Sequence, residues 1–179
     1  MEETRFRRNV DILDWYDALV LALAVLVLVF AFCVRIVVVS GSSMNNTLTD
    51  GDRLLVQSTF YTPQRGDVVV VDSYINYGKP LVKRVIAKGG DTVDIDVEQG
   101  LVYVNGEALD EPYVPEGTLS TGNVEFPLTV PEGTLFLMGD NRQHSTDSRS
   151  SDVGFIDERD ILGKVVLRIY PFNKIGLIE

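Results

Sequence analysis

"VVVSGSSMNNTLTDGDRLLV", residues 37–56, marks the place where the chain changes its physical character. Before it, Ala18 to Val34 read "ALVLALAVLVLVFAFCV", an apolar run without a charge. After it, apolar residues come in short runs: "DRLLVQSTF", "GDVVVVDSY", "PLVKRVIA", "DTVDIDV", "LVYVNGEAL", "VEFPLTV", "TLFLMGD" and "ILGKVVLRIYPF". These runs are rich in Val, Leu, Ile and Tyr, and Gly, Pro, Asp and Asn punctuate them, which is the pattern of strands and turns. Asn105-Gly106 supplies the two positive-φ residues of a type I′ hairpin turn. No run beyond Val39 holds a helical period. The prediction is a mainly β chain: a single N-terminal transmembrane α-helix followed by a coiled antiparallel β-sheet or barrel-like domain.

The membrane segment is expected over 15–39, behind a cytoplasmic tail of residues 1–14 and ahead of an extracytoplasmic β domain, 40–179. At 1.5 Å per residue this stretch is ample for a ~30 Å hydrocarbon layer. Trp15 and Tyr16 stand where interfacial aromatic anchors belong, and Arg35 is near enough to the far end to snorkel. Arg5, Arg7 and Arg8 precede the span, which favours a cytoplasmic N-terminus. A cleavable secretory signal is the rival, helped by the small residues Ser40 and Ser42. The run is longer than the usual core of a signal, however, and Arg35 lies between core and cut site.

Composition closes other routes. The chain has 179 residues with 26 acidic against 16 Lys and Arg, so nucleic-acid binding lacks electrostatic support. Cys33 is the only cysteine, which excludes an intramolecular disulfide and a cysteine-rich zinc site. No metal and no cofactor are expected. Residues 110–134, with "EPYVPEG" and "VPEG", read as an irregular excursion within the β domain.

Three stretches carry chemistry. "SGSSMNNTL" offers serine hydroxyls, or merely a polar juxtamembrane loop. In "LVKRVIAKGGD", strict alternation puts Lys83 on one face with Leu81 and Val85, and Arg84 on the other with Val82 and Ile86. One of the two cations should therefore face a dry surface, unless this is a charged edge strand. "MGDNRQHSTDSRSSDVGFI" is dense in Gly, Asp, Asn, Arg and Ser, and Asp140, Arg142, Asp147 and Arg149 can pair to fix its shape. A calcium loop is disfavoured, because the Asp-x-Asn-x-Asp-Gly spacing is missing and two arginines oppose a cation. His144 is the only histidine and reads as a loop residue rather than a triad member. The remaining base is lysine. Unperturbed, only roughly 0.04 % of it is neutral at pH 7, and burial is the physical means of raising that fraction.

These stretches, in this order behind one apolar segment, resemble the bacterial type I signal peptidases, Ser-Lys endopeptidases that release secreted proteins from the membrane. The resemblance, closest to the short Gram-positive type, runs from about Val37 to Ile156 and includes "RGDVVVVDS". It implies Ser43 as nucleophile, Lys83 as general base and Ser145 as the residue that orients the lysine. Asp147 and Arg149 would support the loop that Gly139, Asp140, Asn141 and Arg142 begin. Val39, Met44, Leu48 and Val82 are the candidates for shallow pockets that take small side chains. The implied substrates are preproteins carrying signal peptides, cut after small-x-small sites, and the implied surroundings are membrane lipid. Asn46 stands where most members have proline, and Gly41 where one branch has an oxyanion-assisting serine. A non-enzymatic, membrane-tethered β module that binds a partner is the alternative. A self-cleaving repressor-type protease is a further one, although this chain lacks a DNA-binding segment.

Overall fold

The computed structural model describes the backbone of residues 2–75 and 77–178, and the side chains from 13 onward apart from 29, 31, 32 and 76. One long helix, α1 (Glu2–Cys33), leads directly into strand β1 (Val34–Val38). The apolar run therefore does not stay helical to Val39, as the 15–39 boundary expected. Val34, Ile36, Val37 and Val38 are β-branched, and they pair with β2 (Arg53–Gln57) instead of extending the helix. Arg35 lies on that strand, exposed. Among the described residues no helix is long and apolar enough to cross a membrane. The side chains of Arg5, Arg7 and Arg8 lie outside the described residues.

The remaining chain is antiparallel β. Its strands are β3 (Val68–Val71), β4 (Leu81–Lys88), β5 (Thr92–Asp96), β6 (Leu101–Val104), β7 (Glu107–Ala108), β8 (Leu128–Thr129), β9 (Thr134–Met138), β10 (Ile156–Asp157), β11 (Ile161–Tyr170) and β12 (Gly176–Leu177). The larger sheet runs β1-β2-β11-β3-β4-β9-β10, with β12 added on β11, and the smaller runs β7-β6-β5-β8. Each of the eight runs seen in the sequence contributes a strand, and the turn between β6 and β7 has Asn105 and Gly106 at φ 55° and 83°. The elements without a sequence signal are β1, disguised inside the apolar run, and the two-residue strands β10 and β12.

Three apolar clusters hold the sheets together. Ile86, Phe136 and Met138 of the larger sheet meet Val93, Val102 and Val104 of the smaller. Val69, Val71, Val85, Leu135 and Leu137 fill a second cluster with Ile156. The third joins Leu54, Val56, Val68, Val70 and Val165 to Val39, Met44 and Leu48. That third cluster roots the 39–52 loop, because Met44 and Leu48 are plugged into the core at either end of one hydrogen-bonded turn.

Candidate active site

Strand β4 carries the two basic residues singled out in the sequence. It lies between β3 and β9, so it is an interior strand and its charges do not guard an edge. Alternation sends Lys83 and Arg84 to opposite sides, yet both are 2 % exposed. One dry cation was expected, and the fold has two.

Arg84 is satisfied by pairing. Its Nε and Nη2 donate to Asp140 Oδ1 and Oδ2 at 2.9 and 2.7 Å, and Nη1 donates to the Gly66 carbonyl at 2.8 Å. The Tyr113 ring covers the guanidinium at 3.8 Å. A bidentate pair of this kind is the geometry in which a buried arginine keeps its charge.

Lys83 has no carboxylate partner in hydrogen-bonding contact among the described residues. Its Nζ donates to Ser43 Oγ at 2.7 Å and to the Val82 carbonyl at 3.1 Å. Burial is the dominant influence and pushes the ammonium down to about 8, with Asp147 and Asp140 pulling the other way and Arg149 adding to the depression. At pH 7 roughly a tenth of such a group is the neutral amine.

The loop after β9 frames this pair. Gly139 N–H donates to Asp147 Oδ2 at 3.0 Å, and Arg149 grips the same carboxylate through Nε and Nη2 at 2.9 and 2.8 Å. Burial raises the Asp147 pKa, but the Arg149 fork, its charge and the Gly139 N–H outweigh it, so the carboxyl is held below its usual range. Asn141 ties the loop to the serines: its N–H donates to the Ser43 carbonyl and its Nδ2 to the Ser42 carbonyl, both at 3.0 Å. A side chain at Gly139 would strike both Ser145 Oγ and the Ser43 carbonyl, so this position requires glycine.

The four charged residues of this loop do not simply pair with one another. Asp147–Arg149 is internal, but Asp140 turns to Arg84, and Arg142 forks onto Glu111 while also reaching Thr118. Thr47 Oγ1 donates to Asp140 as well, which couples the 39–52 loop to the same cluster. Glu111, Thr118 and Tyr113 belong to the irregular excursion, where nothing in residue spacing marks them as partners. Ser145 Oγ is buried beside Gly139. Its hydroxyl helps keep Asp147 ionised but makes no well-formed hydrogen bond, and none joins it to Lys83.

A cavity of about 120 Å³ opens beside Ser43 and Lys83, with Val39, Met44 and Val82 in its wall together with Val37, Val70 and Leu81. Three of the four pocket candidates thus line one small apolar space. Leu48 does not, since it is fully buried in the core beneath. A larger, open groove of about 370 Å³ continues past Ser43 between Ser40–Ser42 and Tyr77–Leu81, reaching exposed His144. Gly41 N–H is already committed to Asp50 Oδ1 at 2.8 Å. The Ser43 N–H has no backbone partner among the described residues.

The chain can now be set beside known proteins. The family model described as signal peptidase, peptidase S26, matches residues 12–170. Signal peptidase I of Bacillus licheniformis is 37 % identical over 188 residues, covering 97 % of either chain. Signal peptidase IB of Staphylococcus aureus (strain COL) is 35 % identical over 182 residues, covering 92 % of each. A solved signal peptidase I from Enterococcus faecalis V583 shares 31 % identity with a TM-score of 0.49, over 60 % of this chain and all of that one. With the model spanning most of the chain and relatives matching nearly end to end, the protein belongs to the signal peptidase family, peptidase S26.

Proposed function

We propose that this chain is a membrane-anchored serine endopeptidase that removes N-terminal signal peptides from secreted preproteins after small-x-small sites. The observation that carries the reading is the 2.7 Å hydrogen bond between a buried, depressed lysine and Ser43. A non-enzymatic β module has no use for a lysine buried without a carboxylate in contact, because that burial destabilises the fold.

In the proposed reaction the neutral Lys83 amine accepts the Ser43 hydroxyl proton as Oγ bonds to the scissile carbonyl carbon. Negative charge moves onto the carbonyl oxygen, to which the Ser43 N–H, without a backbone partner among the described residues, would donate. The Lys83 ammonium then protonates the departing nitrogen as the C–N bond breaks, leaving an acyl ester on Ser43. Water, deprotonated by the same amine, then bonds to the ester carbon, and Ser43 Oγ takes the proton back from Lys83 as its bond to the signal peptide breaks. The 120 Å³ apolar cavity, lined by Val39, Met44 and Val82 beside Ser43, would receive the side chain next to the cut. Asp147, Arg149, Asn141 and Gly139 hold the loop against Ser43 and Lys83 without entering the chemistry. Ser145, whose buried hydroxyl makes no well-formed bond, adjoins the pair through Gly139.

The test is the pH dependence of cleavage of a small-x-small preprotein. The rate should rise with pH along an acid limb centred near 8, since the amine acts only when neutral. A limb near 10.5, the value of an ordinary lysine, would show that burial does not depress the acting base, and a rate without an acid limb would show that Lys83 is not the base.

The anchor belongs to the same proposal. Past Asp14 and Asp17, every side chain from Ala18 to Leu28 is apolar and exposed, on all sides of the helix, and so is Phe30. A helix apolar all round needs an apolar solvent. The full chain should resist alkaline extraction from membranes, with residues 40–179 open to protease from the outer side only. Release by alkali, or protection of that domain, would overturn the anchor or its orientation.

A further inference from the structure

Beyond His144 the groove does not end. A second, polar pocket of about 240 Å³ lies on the far side of that histidine, between the 114–117 turn and the loop that follows Ser43. Asn45, Asn46, Glu116, Asn141, Gln143 and His144 supply its polar groups. Three recesses thus follow one another: the apolar cavity, the open groove holding Ser43 and Lys83, and this pocket. The first two share Ser40, Ser43, Leu81 and Lys83, and the last two share His144.

The walls of the pocket are built, not incidental. Gln143 Nε2 donates to the Gly117 carbonyl at 3.1 Å, and Arg142 pins Thr118 and Glu111 behind it. Asn141 fixes the third wall through the Ser42 and Ser43 carbonyls. Because Glu111 neutralises Arg142, the charge left facing the pocket is that of Glu116, which has no ion-pair partner among the described residues. The side chains of Asn45, Asn46 and His144 likewise make no hydrogen bond among the described residues.

We infer that this pocket receives the first residues of the released segment, the part of the preprotein beyond the scissile bond. The inference rests on the proposed peptidase reading, which places the residue before the cut in the apolar cavity and so directs the chain past His144. Free amides suit an extended backbone, and the Glu116 carboxylate favours a cationic over an acidic side chain at the position that reaches it.

The experiment uses the full-length protein and preproteins carrying lysine or glutamate in turn at the first, second and third residues after the cut. At one position the wild type should favour lysine by about two- to fivefold in kcat/KM, the range of an exposed charge pair, and the preference should shrink in high salt. Glu116→Lys should reverse that ratio at the same position. A merely structural Glu116 would scale all substrates alike, so ratios near one at every position, or a ratio unchanged in Glu116→Lys, overturn the inference. If the wild type cleaves none of the substrates while Ser43→Ala is equally inert, the peptidase reading itself fails. That outcome is distinct from cleavage without charge preference.

Discussion

Lys83→Met is expected to abolish cleavage, by on the order of 10³-fold or more, while making the folded protein more stable at neutral pH. The two effects have one origin. Lys83 is almost wholly buried, and its depression from 10.5 to about 8 corresponds to about 3 kcal/mol against holding the ammonium in the fold. Below pH 8 both folded and unfolded chains carry this proton, and the full cost is present. Between about 8 and 10.5 the unfolded chain binds more protons than the folded one, so wild-type stability rises with pH. Above 10.5 the cost is gone. Methionine has similar length and no charge, so the variant lacks this dependence. Its advantage should be about 1–3 kcal/mol at pH 7, after the lost bonds to Ser43 and Val82 are counted. Denaturant unfolding of both proteins across pH 6–11 checks this, and a gap that fails to narrow as pH rises would contradict the burial argument. Ser43→Ala should remove activity to the same extent, and the double variant should be no worse than either single one, because base and nucleophile act as a unit. Near-normal processing by Lys83→Met would sink the lysine-base mechanism.

The buried lysine was half legible in the sequence. A cation between Leu81, Val82 and Val85 signals a dry environment somewhere, but alternation assigns it to one residue of the Lys83–Arg84 pair. The fold buries both because the excursion brings Tyr113 over Arg84 and Asp140 arrives from the end of β9. Such partners lie 29 and 56 residues from Arg84 along the chain, beyond the reach of any local pattern. The strand runs were plain because each is short, β-branched and bounded by turn residues. Strand β1 was not, because its valines continue an apolar run whose helix or strand state is decided by whether β2 is there to pair with it. Leu48 shows the same limit: apolar character placed it near the serine, and only packing reveals that it supports the loop from below.

Asp147→Asn is the second large effect, and it separates loop support from base strength. The carboxylate receives Arg149 through two side-chain bonds as well as the Gly139 N–H, with both members of the ion pair at most 5 % exposed. An amide keeps the shape but strands the guanidinium charge in a dry site. Breaking one side of a buried pair typically costs about 3–5 kcal/mol, a large part of a domain's stability, so the denaturation midpoint should fall steeply. The Gly139 N–H would face an amide, which holds it less strongly, and the loop that carries Asn141 to Ser43 would loosen. Activity should therefore drop. Among the charges acting on Lys83, Asp147 does most to favour the ammonium, while Arg149 favours the neutral amine. Removing the carboxylate and keeping the arginine shifts the balance toward the neutral form. The folded fraction should then show its acid limb at lower pH than wild type, although its maximal rate is smaller. The measurement is a pH–rate profile of Asp147→Asn at a temperature where it remains folded, beside Arg149→Lys, which retains the positive charge and loses the fork. An acid limb that stays in place or moves upward in Asp147→Asn would mean that this carboxylate does not hold up the Lys83 pKa, and the coupling of loop to base would fall.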